Sequence, residues 1–444
     1  MSTNLNFSNL VLLVGTNPLP NYVVAKYFCS NNKNLRRIWL LYSEKTAFEE
    51  GTKQFAENIE AVLKEIKPDI QIEKSPLSDI SRDCIIMRNL DDQLLQGIDR
   101  NSKVHLNYTG GTKSMAVHVY RFLEKNLNNR FSASYLDARN YCIVFDNRIE
   151  KDTDDLRGNI KISWDDLFQL HNCERTLGET KYLDCLEQVQ VEKENLLQRM
   201  INMAEKGKLL EIKKFYQKCN NIGLFSKPKE NEAIDMSCLK ELIDNELASF
   251  NPKNNPELFE FLAAFPEEDR IVDENGNWLY DNFPYSGKNT NKLNGFLSGK
   301  WLEAYVYWVI KTKKPELDPI INLSALKKNT PKTFEIDILV KNGYQICGIS
   351  CGTAAGKGCE SQLKQKGFEV ILRSRQLGGD EALAILVTIL QEKDPGDKEK
   401  IRNLEQDLKD STRTNPQKFI VLCAEDLHPN KLYEKINEHF YGRN

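Results

Sequence analysis

The chain has 444 residues, of which 40% are hydrophobic and 28% charged, and its formal net charge is −3. This length predicts two or three domains, and the balanced charge excludes a general attraction to nucleic acid, so any such binding needs local basic patches. The 11 cysteines form no C-x-x-C pair, which argues against a zinc site and a secreted disulfide framework. No apolar run reaches the length of a membrane span, and we expect a cytoplasmic protein with reduced thiols.

The first third of the chain alternates short apolar runs with amphipathic segments. This alternation predicts an α/β fold with a mostly parallel sheet and helices on both faces. The predicted strands are Val11–Val14, Arg37–Tyr42, Ile70–Ile72, Val104–Leu106, Phe131–Leu136 and Tyr141–Phe145. The predicted helices are Tyr22–Phe28, Glu44–Ile66, Asp79–Leu95 and Lys113–Glu124.

Two of these strands are followed by a polar turn that contains glycine and precedes a helix. The turns consist of Gly15-Thr16-Asn17-Pro18 and Thr109-Gly110-Gly111-Thr112-Lys113-Ser114. Glycines let the backbone come close to a ligand, and the first amides of a helix carry the positive end of its dipole. Lys113 adds a point charge. Because such turns gather at the carboxyl ends of parallel strands, we predict one shared anion-binding site.

The second turn has two simpler interpretations. An ATP-binding P-loop requires G-x-x-x-x-G-K-[ST], but a threonine separates Gly111 from Lys113 and no glycine stands at the upstream position, so this interpretation fails on spacing. A plain structural turn stays open for this motif alone, because Gly-Gly after a strand is common.

The two turns, Val-Gly-Thr-Asn-Pro-Leu-Pro-Asn and Asn-Tyr-Thr-Gly-Gly-Thr-Lys-Ser-Met, together resemble those of CARF domains (CRISPR-associated Rossmann fold). More narrowly, they resemble the CARF–nuclease effectors of type III CRISPR systems. The resemblance implies a Rossmann-like sensor at residues 1–150 that forms a homodimer and binds a cyclic oligoadenylate, most often cyclic tetra-adenylate. The residues it implies in ligand binding are Gly15, Thr16, Asn17, Pro18, Thr109, Gly110, Gly111, Thr112, Lys113 and Ser114.

Residues 151–290 are expected to form a mixed helical connector. The segment Trp164–Cys219 is rich in Lys, Glu and Leu and favours helices, and Asp273–Trp278 is typical of a hairpin turn. Helices followed by a small hairpin resemble a winged helix. This region indicates little about function.

Residues 291–444 predict a second α/β domain. The predicted helices are Gly299–Ile310, Glu360–Lys366, Lys398–Leu408 and Lys431–Phe440, and the turn Arg373–Gly379 is expected to follow the second of them. The predicted strands are Thr333–Val340, Gln345–Ser350, Ala384–Ile389 and Phe419–Leu422.

Three carboxylates of residues 291–444 follow the order of a helix and then a strand. Glu303 is on the first predicted helix, and the period of two places Glu335 and Asp337 on one face of the first predicted strand. This order resembles the core of PD-(D/E)xK, or restriction-endonuclease-like, nucleases, as found in the same effectors. The resemblance implies that Glu303, Glu335 and Asp337 bind Mn²⁺ or Mg²⁺ and that the substrate is DNA, RNA or both.

The motif departs from that family where a Glu-x-Lys is expected. Ser350 stands where the acid often is, and Gly352 stands where the lysine belongs. A displaced lysine could come from the next segment, either Lys357 in a glycine-rich turn or Lys364 and Lys366 on the following helix. Gln362 on that helix is also expected to face the site. The catalytic residues assigned on this basis are Glu303, Asp337, Ser350 and Lys357.

Three functions therefore stay open. The first is a metal-dependent nuclease that cyclic oligoadenylate activates in antiviral defence. The second is a sensor whose nuclease domain is degenerate and inactive. The third is a ring nuclease that cleaves the cyclic activator, in which Thr16, Asn17, Thr109 or Lys113 would position a ribose 2′-hydroxyl. The first function needs a metal ion, whereas the third does not.

Overall fold

A computed structural model describes residues 5–47, 49–146, 150–177, 190–225, 235–267, 269–283, 290–327, 333–356, 358–412 and 416–442. It contains two six-stranded sheets with helices around and between them. Within the described ranges, no helix is both long and apolar enough to span a membrane.

The N-terminal sheet is Rossmann-like, as predicted. Its strands are β1 (Asn9–Val14), β2 (Arg37–Ser43), β3 (Gln71–Leu77), β4 (Val104–Asn107), β5 (Phe131–Asp137) and β6 (Cys142–Phe145). Their order is β3-β2-β1-β4-β5-β6. The first five strands are parallel, and β6 closes the sheet as an antiparallel hairpin with β5. The order reverses between β1 and β4, which is where ligands bind in such sheets.

Helices cover both faces of this sheet. They are α1 (Leu19–Asn31), α2 (Lys53–Ile66), α3 (Asp83–Asn89), α4 (Lys113–Leu127) and α5 (Trp164–Leu170). Because side chains alternate along β1, Leu10 and Leu12 pack with α1, α2 and α5, whereas Val11 and Leu13 pack with α3 and α4. Both faces of the strand are therefore buried.

Two helices in this domain are shorter than predicted. The helix expected at Glu44–Ile66 begins only at Lys53, because Thr52 ties the preceding loop to the sheet: its hydroxyl donates to the carbonyl of Val14 at 3.0 Å and accepts from the amide of Ser43 at 3.0 Å. The helix expected at Asp79–Leu95 is α-helical only over Asp83–Asn89. It continues as a π-helical turn at Leu90–Leu94 and a 3-10 turn at Leu95–Gly97.

The middle of the chain is mainly helical. Its helices are α6 (Gln190–Glu205), α7 (Leu210–Asn221), α8 (Met236–Glu246), α9 (Pro256–Ala263) and α10 (Thr290–Gly295). The turn predicted at Asp273–Trp278 is present, since Val272 and Trp278 form an antiparallel bridge. Within Trp164–Cys219, which was expected to be predominantly helical, Cys173–Leu177 is a strand, β7, that pairs with the C-terminal sheet.

The C-terminal sheet has the order β12-β11-β10-β9-β8-β7. Its remaining strands are β8 (Ile320–Lys327), β9 (Thr333–Asn342), β10 (Gln345–Gly352), β11 (Leu383–Thr388) and β12 (Phe419–Leu422). The associated helices are α11 (Trp301–Lys313), α12 (Cys359–Gly378), α13 (Pro395–Thr412) and α14 (Pro429–Tyr441). Strands β7 to β10 are antiparallel, and β10 to β12 are parallel.

Helix α12 is much longer than predicted. It was expected to end at Lys366 with a turn at Arg373–Gly379, but it runs to Gly378 and therefore includes Arg373 and Arg375. Gly379 ends it with a φ of 66°, a conformation that glycine adopts at little cost. This length lets one helix reach from the sensor domain to the C-terminal site.

The two sheets share an apolar core. Leu323, Ile336, Tyr344 and Leu377 of the C-terminal part belong to the same buried cluster as α1, α2 and α5. The domains therefore pack against each other over a hydrophobic surface.

Candidate functional site

The two glycine turns of the sensor touch each other. Strands β1 and β4 are parallel neighbours, with Leu12 opposite Asn107, so the turns that follow them lie side by side. A Cβ atom at Gly15 would lie 3.0 Å from the amide nitrogen of Gly111, and one at Gly110 would lie 2.1 Å from the carbonyl oxygen of Leu13. Any side chain at Gly110 would therefore force the turns apart.

Two of the predicted ligand-binding hydroxyls are used inside the protein. The hydroxyl of Thr109 donates to Asn107 Oδ1 at 2.7 Å and accepts from the amide of Leu136 at 2.7 Å. Thr112 is the N-cap of α4, and its hydroxyl accepts from the amide of Met115 at 3.2 Å. These two threonines hold the second turn in shape.

The other predicted residues differ in exposure. Asn17 Oδ1 accepts from a backbone amide at the start of α1 at 3.1 Å, and Pro18 is buried. Thr16, Thr112 and Lys113 are exposed, and Ser114 is half-buried. The side chains accessible to a ligand are therefore chiefly those of Thr16, Thr112, Lys113 and Ser114, together with the glycine backbone.

Tyrosines beside the second turn were not singled out from the sequence. The ring of Tyr108 lies 5.9 Å from that of Tyr120 and 5.8 Å from that of Tyr135. Its hydroxyl donates to Asp146 at 2.8 Å, and burial together with this bond raises the pKa of Tyr108, which keeps the phenol neutral. The sequence could have indicated these tyrosines through Tyr108, which lies within the motif of the second turn, since tyrosines commonly stack on nucleobases.

The C-terminal site is built around one carboxylate. Asp337 on β9 accepts three hydrogen bonds on Oδ2: from Ser350 Oγ at 2.7 Å, from the amide of Cys351 at 2.7 Å and from Lys366 Nζ at 3.0 Å. Ser350 and Cys351 belong to the neighbouring strand β10, and Lys366 comes from α12. The two strands and the helix thus converge on this side chain.

The other two predicted carboxylates flank Asp337. Glu303 approaches from α11, where burial and the charge of Asp337 raise its pKa to about 7, against the opposing effect of Lys366. Glu335 is exposed and, like Asp337, lines a cavity with a volume of about 480 Å³. Burial alone would lower the pKa of Lys366, but Asp337 and Glu303 outweigh burial and raise it. Lys366 is therefore a charged ammonium beside two acids.

The structure places the candidate lysines differently. Lys366 reaches the site, whereas Lys364 points away and pairs with Asp407 at 2.8 Å. Lys357, which the sequence analysis assigned as catalytic, lies outside the described residues. A Cβ at Gly352 would lie 2.4 Å from Leu363 and 3.8 Å from Lys366 Cδ. Because α12 packs directly over Gly352, the helix occupies the place where a strand lysine would extend.

Three further side chains line the same cavity. Gln362, which was expected to face the site, does so, and it is joined by Gln365 and Glu369. The last two were not foreseen. Their signal is a spacing of three or four residues, since Gln365 follows Gln362 by three and Glu369 follows Gln365 by four, which places them on one face of a helix that was predicted to end too early.

The donor set suits a hard divalent cation. Within the described parts of the chain, no group of three or more His, Cys, Asp or Glu side chains is arranged closely enough to hold a metal ion. However, Asp337 Oδ1 accepts no hydrogen bond from the described residues, and Ser350 and the carboxylates present only oxygen. Mg²⁺ and Mn²⁺ prefer such oxygen ligands. The metal assignment for Glu303, Glu335 and Asp337 stays a prediction.

Comparison with known proteins bears on both domains. Residues 9–164 match the family model of the Card1 CARF domain, which confirms the predicted resemblance to CARF domains. No curated protein matches the chain in sequence.

Two solved structures share the fold over nearly the whole length. One is protein VC1899 from Vibrio cholerae, at 15% identity and a TM-score of 0.60, covering 98% of this chain and 99% of the other. The second is Can2 from Sulfobacillus thermosulfidooxidans in complex with cyclic tetra-adenylate, at 15% identity and a TM-score of 0.54, covering 97% and 99%. At this identity the likeness shows the fold alone.

Proposed function

We propose that the protein is a type III CRISPR effector that binds a cyclic oligoadenylate and is thereby activated to cleave DNA or RNA with a divalent metal ion. We assign residues 1–150 to the sensor, which is the CARF domain, residues 151–290 to the connector and residues 291–444 to the nuclease domain. Strand β7 belongs to the connector in sequence but pairs with the second sheet. We further propose that the protein acts in the cytoplasm as a homodimer.

The sensor function is supported by the turns at the switch point of the first sheet. Their glycines bring the backbone amides of both turns to one place, and Lys113 and Thr16 are exposed beside them. A cyclic oligoadenylate is a ring of phosphates and adenines, so it needs neutral amides, a few cations and surfaces for bases. The Can2 structure of the same fold was solved with cyclic tetra-adenylate, which makes this ring size the first to test.

The single observation that carries the nuclease function is the contact between Lys366 and Asp337. The Glu-x-Lys of the family is missing from β10, which on its own favours an inactive domain. An ammonium from α12 at the same carboxylate replaces the missing lysine. Such helix-borne groups serve catalysis if their tips reach the reacting atoms.

The chemistry follows from these groups. When bound, a divalent ion would lower the pKa of a water molecule and stabilise charge on the phosphate. Glu303, Glu335 and Asp337 would hold it, and Ser350 orients Asp337 through its hydroxyl. Lys366 stabilises the negative charge that develops at the scissile phosphate, as an ammonium positioned in a partly buried site can do.

The test follows both possible substrates at once. Protein is incubated with cyclic tetra-adenylate, Mn²⁺, labelled plasmid and labelled RNA, and the cleavage of each and of the activator is recorded. Cleavage of plasmid or RNA that requires both activator and metal supports the proposal. Activator binding without any cleavage indicates a sensor with a degenerate nuclease domain, and metal-independent loss of the activator indicates a ring nuclease.

The matched variant for this test is Lys113→Ala. It removes a charge-assisted phosphate contact, which costs about 1.5–3 kcal/mol of binding, and Lys125→Ala on the same helix is the control. Equal affinity of both variants for cyclic tetra-adenylate in a calorimetric titration would show that Lys113 does not bind the ligand.

A further inference from the structure

A cleft separates the first sensor turn from the C-terminal half of α12. Its volume is about 730 Å³, and its walls are mostly apolar. Thr16, Asn17 and Phe55 line it on the sensor side, and Leu372, Arg375 and Gln376 line it from α12. This volume falls in the range of small-molecule sites.

We propose that this cleft binds an adenine base of the cyclic activator, so that the activator touches the helix that carries Lys366. The proposal rests on the proposed function, because it places one part of the same ligand. It adds a contact between activator and nuclease domain that the sensor turns by themselves do not supply.

The first argument is continuity. Thr16 and Asn17 belong to the predicted ligand-binding turn and also form one wall of the cleft. The neighbouring Gly15 packs against Gly111 of the second turn. A ring whose phosphates lie on the two turns therefore has the cleft directly beside it.

The second argument is chemical fit. Leu372 is 54% exposed, unusually high for a large apolar side chain, and together with Phe55 it offers a surface for the flat face of a base. Gln376 has an amide that can donate to and accept from the edge of adenine. Arg375 forms an exposed ion pair with Asp380 at 3.5 Å and donates to the carbonyl oxygen of Thr412 at 3.4 Å. The exposed ion pair costs little to break when a phosphate arrives.

The third argument is the path from the cleft to the nuclease site. Lys366 and Arg375 lie on the same α-helix, about 14 Å apart along its axis at 1.5 Å per residue. At the end of this helix, a Cβ on Gly379 would lie 2.0 Å from Asn17 Nδ2, so the sensor turn and the helix end are in close contact. A base that enters the cleft displaces α12 as a unit and thereby shifts Lys366 relative to Asp337.

The test uses Leu372→Asp, which replaces an exposed side chain and is therefore compatible with folding. We expect its affinity for cyclic tetra-adenylate to fall about tenfold or more, as expected when an apolar contact with a base is lost, and activator-dependent cleavage to fall with it. The control is Leu242→Asp on α8, also an exposed leucine (37%), for which we expect wild-type affinity and cleavage.

A second measurement reports contact directly. In Leu372→Trp, the fluorescence of the new tryptophan should be quenched when cyclic tetra-adenylate is added, beyond the change seen in the wild-type protein. Wild-type affinity of Leu372→Asp together with no added quenching would overturn the cleft as a base site while leaving the proposed function intact. If wild-type protein binds no cyclic tetra-adenylate, the proposed function itself fails.

Discussion

Lys366 and Asp337 are 29 positions apart in the chain, yet the ammonium of Lys366 donates to Asp337 Oδ2 at 3.0 Å. Lys366 lies on α12 and Asp337 lies on β9. Helix α12 also packs against β10, the strand next to β9. A basic group from a helix therefore stands beside Asp337, although Gly352 occupies the strand position at which the resemblance to nucleases predicts a lysine.

Replacing Lys366 with methionine should abolish most cleavage. The loss of an ammonium that stabilises developing charge is expected to lower the rate by about 10²-fold or more, while activator binding in calorimetry stays unchanged. Lys364→Met is the matched control, since Lys364 forms only an exposed pair with Asp407. Equal cleavage by the two variants would assign the lysine role to another residue.

Gly110→Ala should disrupt the sensor turns. Its Cβ would lie 2.1 Å from the carbonyl oxygen of Leu13, so the second turn must move and the ligand amides with it. We expect a large loss of affinity for cyclic tetra-adenylate and a lower melting temperature. Gly158→Ala is the control, because a Cβ there meets nothing within 4 Å. Wild-type affinity of Gly110→Ala would contradict a ligand site at these turns.

Glu381 should make stability depend on pH. It is 4% exposed near the domain interface, and burial raises its pKa from an ordinary value of 4.5 to about 7. Between these two values the folded protein holds a proton that the unfolded chain has released, so stability falls as the pH rises and this contribution is lost above about 7.

The measurement is the melting temperature from about pH 5 to about pH 8. In Glu381→Gln we expect a flatter profile, because the amide does not ionise. Glu399→Gln serves as the control, since Glu399 is exposed and lies on α13. Parallel profiles for wild type and Glu381→Gln would show that Glu381 does not titrate in this range.

A homodimer is expected in solution. Two equivalent subunits can bind a ring of adenylates symmetrically. On α4, next to the second turn, the apolar side chain of Val117 is 52% exposed. Light scattering should give twice the chain mass, and Val117→Lys should shift the equilibrium toward monomer, whereas Ile66→Lys on α2 should not. A monomer that binds one activator per chain would contradict this prediction.

Much of the sensor was predictable because its signals are local. Buried parallel strands appear as short apolar runs, and the turns at Gly15 and at Gly110-Gly111 mark where two of them end. The helix boundaries were less predictable. Thr52 ends a loop by bonding to two different strands, and such contacts leave no periodic pattern in the sequence.

By itself, the sequence determined the two α/β domains, the paired sensor turns and the three acids Glu303, Glu335 and Asp337, because strand periodicity and glycine chemistry act over a few neighbouring residues. Only the tertiary structure decided which lysine joins Asp337, that the Thr109 hydroxyl is bonded within the protein rather than free for a ligand, and that α12 runs on to meet Asn17. These outcomes depend on how elements that are distant in the sequence pack together. Helix α12 packs against Gly352, for example, because glycine has no side chain, and no local sequence pattern predicts such packing.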